Sequence, residues 1–335
     1  MRELVYVEPG KAEWRAAPVP RLEDQRDVIV RPVAASSCDL DRRIIRGKAP
    51  LRGPFALGHE AVAEVVEAGD GCGSLAPGQL VVVTYNIACG DCDRCRDGVT
   101  HSCRLVPAGA MYGLPVGGEW GRLFSDLVRV PFGAGALIPL PAGVAPADAA
   151  AVGDNLALAW EVVAPALEAR PGGGVVIYGS GSVGLYAIDV ARCLGAGVIC
   201  YVDANPERMA IARQLGAECA EEPTDAPVGE FDLAVDASGR PASLRSALRS
   251  LRPEGRCESV GVYYDDVGLP LPDMFLRGVT FRIARGNALH WAPRVLGALA
   301  EGRLRPQLIT TGIHGWDDAP AVLSDPPLKP VFLRG

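Results

Sequence analysis

The chain has 335 residues, of which 49% are hydrophobic, and its formal net charge is -7 at pH 7. This length and composition favour two folded domains with large cores. Because the negative charge is spread along the chain, nucleic acid and anionic membranes are not expected as partners. The N-terminus lacks the apolar core of a signal peptide, and no apolar run approaches the ~18 residues of a membrane span. We therefore expect a cytoplasmic protein.

The first half contains short β patterns rich in proline and glycine, which predict a mainly β domain. Within it, Cys38 lies in AASSCDLD, and His59 and Glu60 lie in FALGHEAVAEVVEAG. A thiolate, an imidazole and a carboxylate are all zinc ligands. Because these residues are far apart in the sequence, their spacing alone does not establish a shared ion.

Four cysteines follow closely in CGDCDRCRDGVTHSC, at Cys89, Cys92, Cys95 and Cys103. The C-x2-C-x2-C-x7-C spacing places the four thiols within reach of one ion, and the intervening glycines and aspartates favour tight turns. Because cytosolic thiols stay reduced, a closed structural zinc site is favoured over disulfides. Two alternatives stay open, namely four incidental surface thiols and a redox C-x-x-C pair, although such a pair usually begins a helix after a strand.

The second half begins with a nucleotide-binding pattern. Val175–Tyr178 predict a buried strand and 185–194 predict an amphipathic helix. Between them lies a GxGxxG loop formed by Gly179, Ser180, Gly181, Ser182, Val183 and Gly184. The glycines of such a loop permit a tight turn and a close approach to a pyrophosphate, which the positive end of the helix attracts.

Asp203 ends the next strand pattern, VICYVD, about 20 residues further on. Its carboxylate could accept hydrogen bonds from both hydroxyls of an adenosine ribose and would repel a 2′-phosphate, so NAD is favoured over NADP. Two alternatives stay open. Asp203 could instead cap the helix that Asn205 and Pro206 begin, and the nearby Arg208 keeps the use of NADP open.

Further strand patterns at Phe231–Asp236, 256–262 and 278–284 alternate with a helix pattern at 242–251. Strands that alternate with helices predict an α/β fold with a doubly wound parallel sheet. We expect this second domain to cover about residues 156–286.

In combination, Cys38, the GHE before an AEVVEAG strand, the four-cysteine cluster, GSGSVG and the later VD resemble the zinc-dependent medium-chain alcohol dehydrogenases over essentially the whole chain. The resemblance implies a GroES-like, mainly β catalytic domain at 1–155 with a zinc lobe at 89–103, a Rossmann domain at 156–286, and a return to the first domain at 287–335. It also implies an active site between the domains and a homo-oligomer, a dimer or a tetramer, formed through the sheet edge near 278–284.

The resemblance further implies that Cys38 and His59 bind a catalytic zinc, with Glu60 behind them or as an exchanging ligand. The third protein ligand would be Asp154 in VGDNLALAW, whose alternative role is to cap the helix starting at Asn155. With the cysteine cluster, this makes two Zn²⁺ per chain. The implied reaction is hydride transfer between the carbon of a small-molecule alcohol and nicotinamide C4, with zinc as the Lewis acid.

The sequence departs from the family at the proton relay. The family often has Ser or Thr two residues after the catalytic Cys and His five residues after it, where this chain has Leu40 and Arg43. Leu40 cannot pass a proton and Arg43 stays charged. Water or another group would carry the proton, and the Tyr85 hydroxyl is a candidate. Asp41 is expected to keep the family's structural role near the cleft.

Three functions stay open at this point. The first is a zinc- and NAD-dependent dehydrogenase of a polyol, a secondary alcohol or an aldehyde. The second is an NADP-linked carbonyl reductase with the same metal site, against which Asp203 argues. The third is a nucleotide-binding family member that has lost turnover, which Leu40 and Arg43 keep open.

Overall fold

The computed structural model describes residues 1–221 and 225–335. Its contacts divide the chain into two compact units. Unit 1 comprises Met1–Ala157, Asn287–Glu301 and Thr310–Gly335, and unit 2 comprises Leu158–Gly286 and Gly302–Ile309. Within the described ranges, none of the helices combines the length and the apolar character needed to cross a bilayer.

The elements are numbered in chain order. The strands are β1 (Arg2–Glu8), β2 (Lys11–Ala16), β3 (Val28–Ser36), β4 (Phe55–Ala56), β5 (Ala61–Ala68), β6 (Leu80–Val83), β7 (Val128–Val130), β8 (Leu137–Pro139), β9 (Val175–Tyr178), β10 (Ile199–Val202), β11 (Glu218–Ala220), β12 (Phe231–Asp236), β13 (Leu251–Ser259), β14 (Thr280–Ile283), β15 (Gly312–Gly315) and β16 (Pro330–Leu333).

The α-helices are α1 (Asp39–Ile45), α2 (Asp93–Arg96), α3 (Gly133–Ala136), α4 (Pro146–Ala149), α5 (Asn155–Ala169), α6 (Ser182–Cys193), α7 (Pro206–Gln214), α8 (Pro241–Arg249), α9 (Leu271–Arg277), α10 (Ala288–Ala300) and α11 (Ala319–Ser324). Short 3-10 turns cover Thr100–Ser102, Pro306–Leu308 and Trp316–Asp318.

Unit 1 is mainly β, as the sequence predicted. A small sheet has the strand order β2-β1-β4, and a larger one has the order β15-β16-β3-β5-β6-β8, with β7 also paired to β3. The pairs are antiparallel except β15 with β16. Alternate residues of β3, β5 and β6, mainly valines and alanines, pack into a shared apolar core. This is the pattern of a sheet with one face on the core.

The strand pairing in unit 1 brings three distant chain segments to one place. β3 ends two residues before Cys38, and β5 begins two residues after His59. Because these strands are antiparallel, with Ala35 opposite Ala61, the end of one meets the start of the other. The last strand, β16, lies on the other side of β3. The C-terminal segment therefore lies beside the segment that carries Cys38.

Unit 2 is the predicted doubly wound sheet. Its six strands are all parallel and follow the order β11-β10-β9-β12-β13-β14, which is the order of a dinucleotide-binding fold. All four residues of β9 are buried, as expected for a strand covered on both faces. The α/β fold class predicted from the sequence is confirmed.

Two predicted boundaries in unit 2 were wrong. The strand expected at 256–262 starts earlier, at Leu251, because Leu251 already pairs with Phe231 on the neighbouring strand β12. The last strand starts at Thr280 rather than at 278, because Gly278 ends α9 in the left-handed conformation with φ 63°. A glycine adopts this conformation at a helix end without steric cost, so the strand begins only after it.

Candidate metal and nucleotide sites

Three of the residues predicted to bind a catalytic zinc come together in unit 1. One ligand atom each of Cys38, His59 and Asp154 lie within 4.8 Å of one another. The three side chains come from different elements, since Cys38 caps α1, His59 precedes β5 and Asp154 precedes α5. Cys38 and His59 are buried and Asp154 is half-buried. His59 Nε2 is 3.5 Å from Asp154 Oδ2.

The chemistry of this group fits a bound zinc ion. Burial raises the pKa of the Cys38 thiol to about 12. A coordinated cation deprotonates such a thiol, and its positive charge would stabilise the resulting thiolate. Burial lowers the pKa of His59, but nearby Asp41, Cys38 and Asp154 outweigh it and raise this pKa well above its usual range. Three protein ligands with one open position are typical of a catalytic zinc site.

Asp41 orients Cys38 from within α1. The backbone N–H of Cys38 donates to Asp41 Oδ2 at 3.0 Å, and Cys38 Sγ accepts from the N–H of Leu40 at 3.2 Å. The other oxygen of Asp41 is 3.8 Å from His59 Nδ1. Among the described residues, neither of these two buried atoms has a hydrogen-bond partner. Asp41 is therefore hydrogen-bonded to the backbone of Cys38 and lies close to His59 without bonding to it. Its structural role near the cleft stays a prediction.

Glu60 does not join the group of three. Its fully buried carboxylate accepts from the ammonium of Lys329 through Oε1 and from the N–H of Asn155 through Oε2, the latter at 3.3 Å. Its role as an exchanging ligand stays a prediction. No motif in the sequence distinguishes Lys329, although this residue is one of only three lysines and directly precedes the apolar run PVFL.

Tyr85 is tied to the segment that carries Asp154. Its backbone N–H donates to the carbonyl of Gly153 at 2.9 Å. Its side chain is 7% exposed and belongs to an apolar cluster whose other members are Ala157, Ala288, Met111 and Trp291.

Leu40 packs against the apolar core of unit 1. An apolar side chain at this point cannot pass a proton, as the sequence indicated.

The four clustered cysteines also come together. One sulfur atom from each of Cys89, Cys92, Cys95 and Cys103 lies within 4.8 Å of the others. Backbone N–H groups of Asp91, Cys92 and Leu105 point at these sulfurs. Such donors stabilise thiolates, and four thiolates form a closed tetrahedral zinc site.

The titration of the lobe thiols is uneven. Backbone N–H groups of Arg104 and Cys95 lower the pKa of Cys92 to about 6, whereas burial raises that of Cys95 to about 11. The sulfurs of Cys89 and Cys95 are 3.9 Å apart, well beyond the ~2.05 Å of a disulfide bond. All ten cysteines of the chain are free thiols. The lobe therefore has the geometry of a metal site and not of a disulfide.

Asn287 connects the cysteine lobe to the start of α10. Its side-chain amide donates to the carbonyl of Gly98, and its side-chain oxygen accepts from both the N–H and the hydroxyl of Thr100. His290, one turn further along, packs under Gly98, where an added Cβ would come within 2.8 Å of its ring. His290 thus has a packing role.

The glycine loop in unit 2 lies at the carboxyl ends of β9 and β12. Ser180 Oγ donates to the carbonyls of Ala237 and Ser238, and Arg240 Nη2 donates to the carbonyl of Gly179 at 3.2 Å. Gly181 is the N-cap of α6 and has no side chain with which to cap this helix. The sheet order reverses between these two strands, which is where open α/β sheets bind nucleotides.

Gly179 is also required by a neighbour that the sequence pattern does not show. A Cβ at this position would lie 2.0 Å from the hydroxyl oxygen of Tyr201. The buried Tyr201 ring thus fills the space beneath the loop, and a Cβ added at Gly184 would lie 3.4 Å from the same ring. At least one glycine of the pattern is therefore needed for packing, whereas its approach to a pyrophosphate stays a prediction.

Asp203 lies fully buried at the end of β10. Its Oδ1 accepts from Asn205 N–H at 3.0 Å and from Arg208 Nη2 at 2.6 Å, and its Oδ2 accepts from the Tyr201 hydroxyl at 2.7 Å and from Arg208 Nε at 2.6 Å. Burial raises the pKa of Asp203, but Arg208 and the other donors outweigh it and lower this pKa. The N-cap of α7 is Asn205, so the alternative role of Asp203 as that cap was wrong.

Two family models match the chain. The alcohol dehydrogenase GroES-like domain matches residues 24–142, and the zinc-binding dehydrogenase model matches residues 182–301. The first match lies within the predicted domain at 1–155, and the second overlaps the predicted domain at 156–286 and extends into the segment predicted at 287–335. The combined matches cover most of the chain.

Individual relatives agree with these models. The chain is 32% identical to a Mycobacterium tuberculosis protein named "Probable zinc-binding alcohol dehydrogenase", over 95% of this chain and 83% of that protein. It is 35% identical to a glutathione-independent formaldehyde dehydrogenase of Pseudomonas aeruginosa, over 71% of this chain but only 65% of that enzyme's length. The solved structure of an alcohol dehydrogenase from Thermus sp. ATN1 is similar over 100% of both chains, with a TM-score of 0.91 and 32% identity.

Proposed function

Because the chain belongs to the zinc-binding alcohol dehydrogenase family, we propose that it transfers a hydride between a small-molecule alcohol and a nicotinamide cofactor. The observation that carries this proposal is the group formed by Cys38, His59 and Asp154, whose ligand atoms lie within 4.8 Å of one another. A thiolate, an imidazole and a carboxylate with one open position suit a catalytic zinc, which binds substrate oxygen there.

The residues of the chain have distinct roles in the proposed reaction. Bound zinc would supply a Lewis acid for the substrate oxygen, and the nicotinamide would supply the hydride chemistry. Cys38, His59 and Asp154 would hold the metal, and Asp41 orients Cys38 through its backbone. Because Leu40 cannot pass a proton, we propose Tyr85 or water as the proton carrier. The backbone N–H of Tyr85 donates to the carbonyl of Gly153, the residue before Asp154.

We propose two Zn²⁺ per chain and NAD as the preferred cofactor. The second zinc would be held by the four cysteines of the lobe. The preference for NAD is supported by the ionised carboxylate of Asp203 at the end of β10, which would repel a 2′-phosphate. Arg208 is paired with this carboxylate through two nitrogens, so its charge is partly neutralised.

A substrate screen tests the proposal. Zinc-loaded protein is mixed with NAD and with polyols, secondary alcohols or formaldehyde, the last because of the formaldehyde dehydrogenase relative. Formation of NADH is followed by absorbance, and the reverse reaction is run with carbonyl compounds, NADH and NADPH. We expect turnover with at least one class, and none for Cys38→Ala. Cofactor binding without any turnover would instead support the nucleotide-binding alternative that has lost catalysis.

We also propose that the chain forms a homo-oligomer through the β14 edge of unit 2. The residues that support this are large apolar side chains on α9 and β14 that are more than half exposed, namely Leu271, Phe275, Leu276 and Ile283. An exposed sheet edge next to an apolar patch is a surface that proteins usually cover.

A cytoplasmic location is supported by the ten free thiols, which a reducing compartment preserves.

A further inference from the structure

A single lysine contacts the segments that carry all three candidate zinc ligands. Lys329 directly precedes β16 and is completely buried. Its ammonium donates to the carbonyl of Ser37 at 3.1 Å, to Asn155 Oδ1 at 2.8 Å and to the carboxylate of Glu60. Each of these three acceptors is the immediate sequence neighbour of one ligand residue, in the pairs Ser37 and Cys38, Glu60 and His59, and Asn155 and Asp154.

Asn155 extends this contact to a ligand atom. Its Nδ2 donates to Asp154 Oδ2 at 2.7 Å, while its Oδ1 accepts from Lys329. Its backbone N–H donates to the second oxygen of Glu60 at 3.3 Å. The orientation of the Asp154 carboxylate is therefore linked to the lysine through one amide side chain.

The main chain of Lys329 is itself fixed. Its N–H donates to Thr311 Oγ1 at 2.9 Å, and its carbonyl accepts from the N–H of Thr311 at 2.9 Å. Two residues later, Val331 pairs with Ser36 on β3. The ammonium is thus held at a defined position by the C-terminal strand, close to the end of β3.

We propose that Lys329 is the positioning residue of the metal site, and that Glu60 serves mainly as its counter-ion. An ammonium has three N–H donors, and leaving it buried without acceptors is costly. The three acceptors are therefore held around one point, which sets the spacing of the segments that carry Cys38, His59 and Asp154. This inference rests on the proposed function, because it specifies how the proposed zinc site is built.

The first test replaces the ammonium by an apolar side chain of similar length. In Lys329→Met, we expect the zinc of the Cys38 site to bind about 10- to 100-fold more weakly, the range typical of lost contacts behind metal ligands. The lobe zinc should keep its affinity. Both affinities are measured on the purified full chain by competition with a chromogenic chelator, and the zinc retained is counted by elemental analysis.

A matched control carries the same substitution elsewhere. Lys11 lies in β2 and is 54% exposed, with its ammonium 3.8 Å from Glu13. Lys11→Met should leave both zinc affinities at their wild-type values. A similar loss of zinc in this control would show that the effect does not depend on the contacts of Lys329.

A second variant covers the case in which Lys329→Met does not fold, since it leaves the carboxylate of Glu60 buried without its cation. The double variant Lys329→Met with Glu60→Gln removes both charges. We expect it to fold and still to bind the zinc of the Cys38 site at least about 10-fold more weakly, because the contacts to Ser37 and Asn155 are lost.

The readout separates positioning from general stability. Selective loss of one zinc, with the lobe zinc and the far-UV spectrum unchanged, supports the proposal. Wild-type affinity in the double variant overturns it, as does a parallel loss of both zinc ions together with the fold. Wild-type protein that binds only the lobe zinc would contradict the proposed function itself, whereas two zinc ions in wild type and wild-type zinc affinities in both variants would contradict only the role of Lys329.

Discussion

The carboxylate of Asp203 shows how neighbours modify the role of a single residue. Each of its oxygens accepts two hydrogen bonds, from Tyr201, Asn205 and Arg208. A ribose hydroxyl that binds there must compete with donors of the chain itself. One of these partners, the Arg208 guanidinium, is held by its side chain alone, and 18% of that side chain is accessible. We therefore expect Arg208 to adjust when the cofactor binds, while Tyr201 and Asn205 keep the carboxylate in place.

Replacing Asp203 tests its role with the cofactor. Asp203→Ala should raise the KM for NAD by about 10- to 100-fold, because hydrogen bonds to a charged group contribute about 1.5–3 kcal/mol. The KM for NADP should rise less, since the unpaired Arg208 can then face a 2′-phosphate. Steady-state kinetics with both cofactors measure this, with Asp273→Ala, a surface partner of Arg249, as control. An unchanged KM for NAD would contradict the assignment.

Replacing Gly179 tests its contact with Tyr201. Gly179→Ala should lower the free energy of unfolding by about 1–3 kcal/mol, the cost of overpacking, because the new methyl group meets the Tyr201 ring. The same substitution in a Tyr201→Val background should cost clearly less. Denaturant unfolding of the single and double variants measures the difference. Equal costs in both backgrounds would show that the glycine is required for another reason.

At the scale of elements, the cysteine lobe has little regular structure of its own. It contains the four-residue helix α2 and one 3-10 turn, and its cysteines pack mainly against one another. Asn287 adds an anchor to α10. A segment with so small an apolar core is expected to depend on its metal for its structure.

Removing one lobe thiol tests this dependence. Cys95→Ser should lose the lobe zinc and lower the melting temperature, because structural zinc contributes directly to folding. The zinc of the Cys38 site should remain. Calorimetry and zinc analysis measure both effects, and Cys219→Ser, a half-buried thiol in unit 2, is the control. Wild-type melting of Cys95→Ser would contradict a structural zinc.

At the scale of the whole molecule, local patterns predicted most of the fold. The alternation of strand and helix patterns predicted the parallel sheet, and the short cysteine spacing predicted the lobe. Both depend on residues that are close in sequence. Lys329 could not be found in this way, because its acceptors are 174, 269 and 292 residues away and meet it only through the pairing of β16 with β3.

The packing of Tyr201 against Gly179 could not be predicted from the sequence pattern either. The pattern explains its glycines by a tight turn and by the approach of a pyrophosphate, and only the positions of neighbouring strands show which glycine faces a ring. Strand limits were missed where one residue changes the main-chain direction, as at Gly278. Such positions depend on tertiary contacts rather than on local preference.

The association state is a property of the whole molecule and has its own test. Phe275 is 86% exposed and Leu276 is 81% exposed, next to the edge strand β14. Phe275→Glu with Leu276→Glu should convert the oligomer to a monomer, because charges would then be buried in the interface. Light scattering coupled to size-exclusion chromatography measures the mass. Val19→Glu, at an exposed valine of unit 1, is the control. A wild-type monomer, or an oligomer that survives the double substitution, would contradict this interface.

The amount of zinc per chain tests the two proposed metal sites most directly. Protein purified without chelator is analysed for zinc by elemental analysis, together with Cys38→Ser. We expect about two zinc ions for the wild type, one in each of the two ligand groups, and about one for the variant, whose lobe cysteines are unchanged. A wild-type value of one that does not rise when zinc is added back would contradict the catalytic metal site.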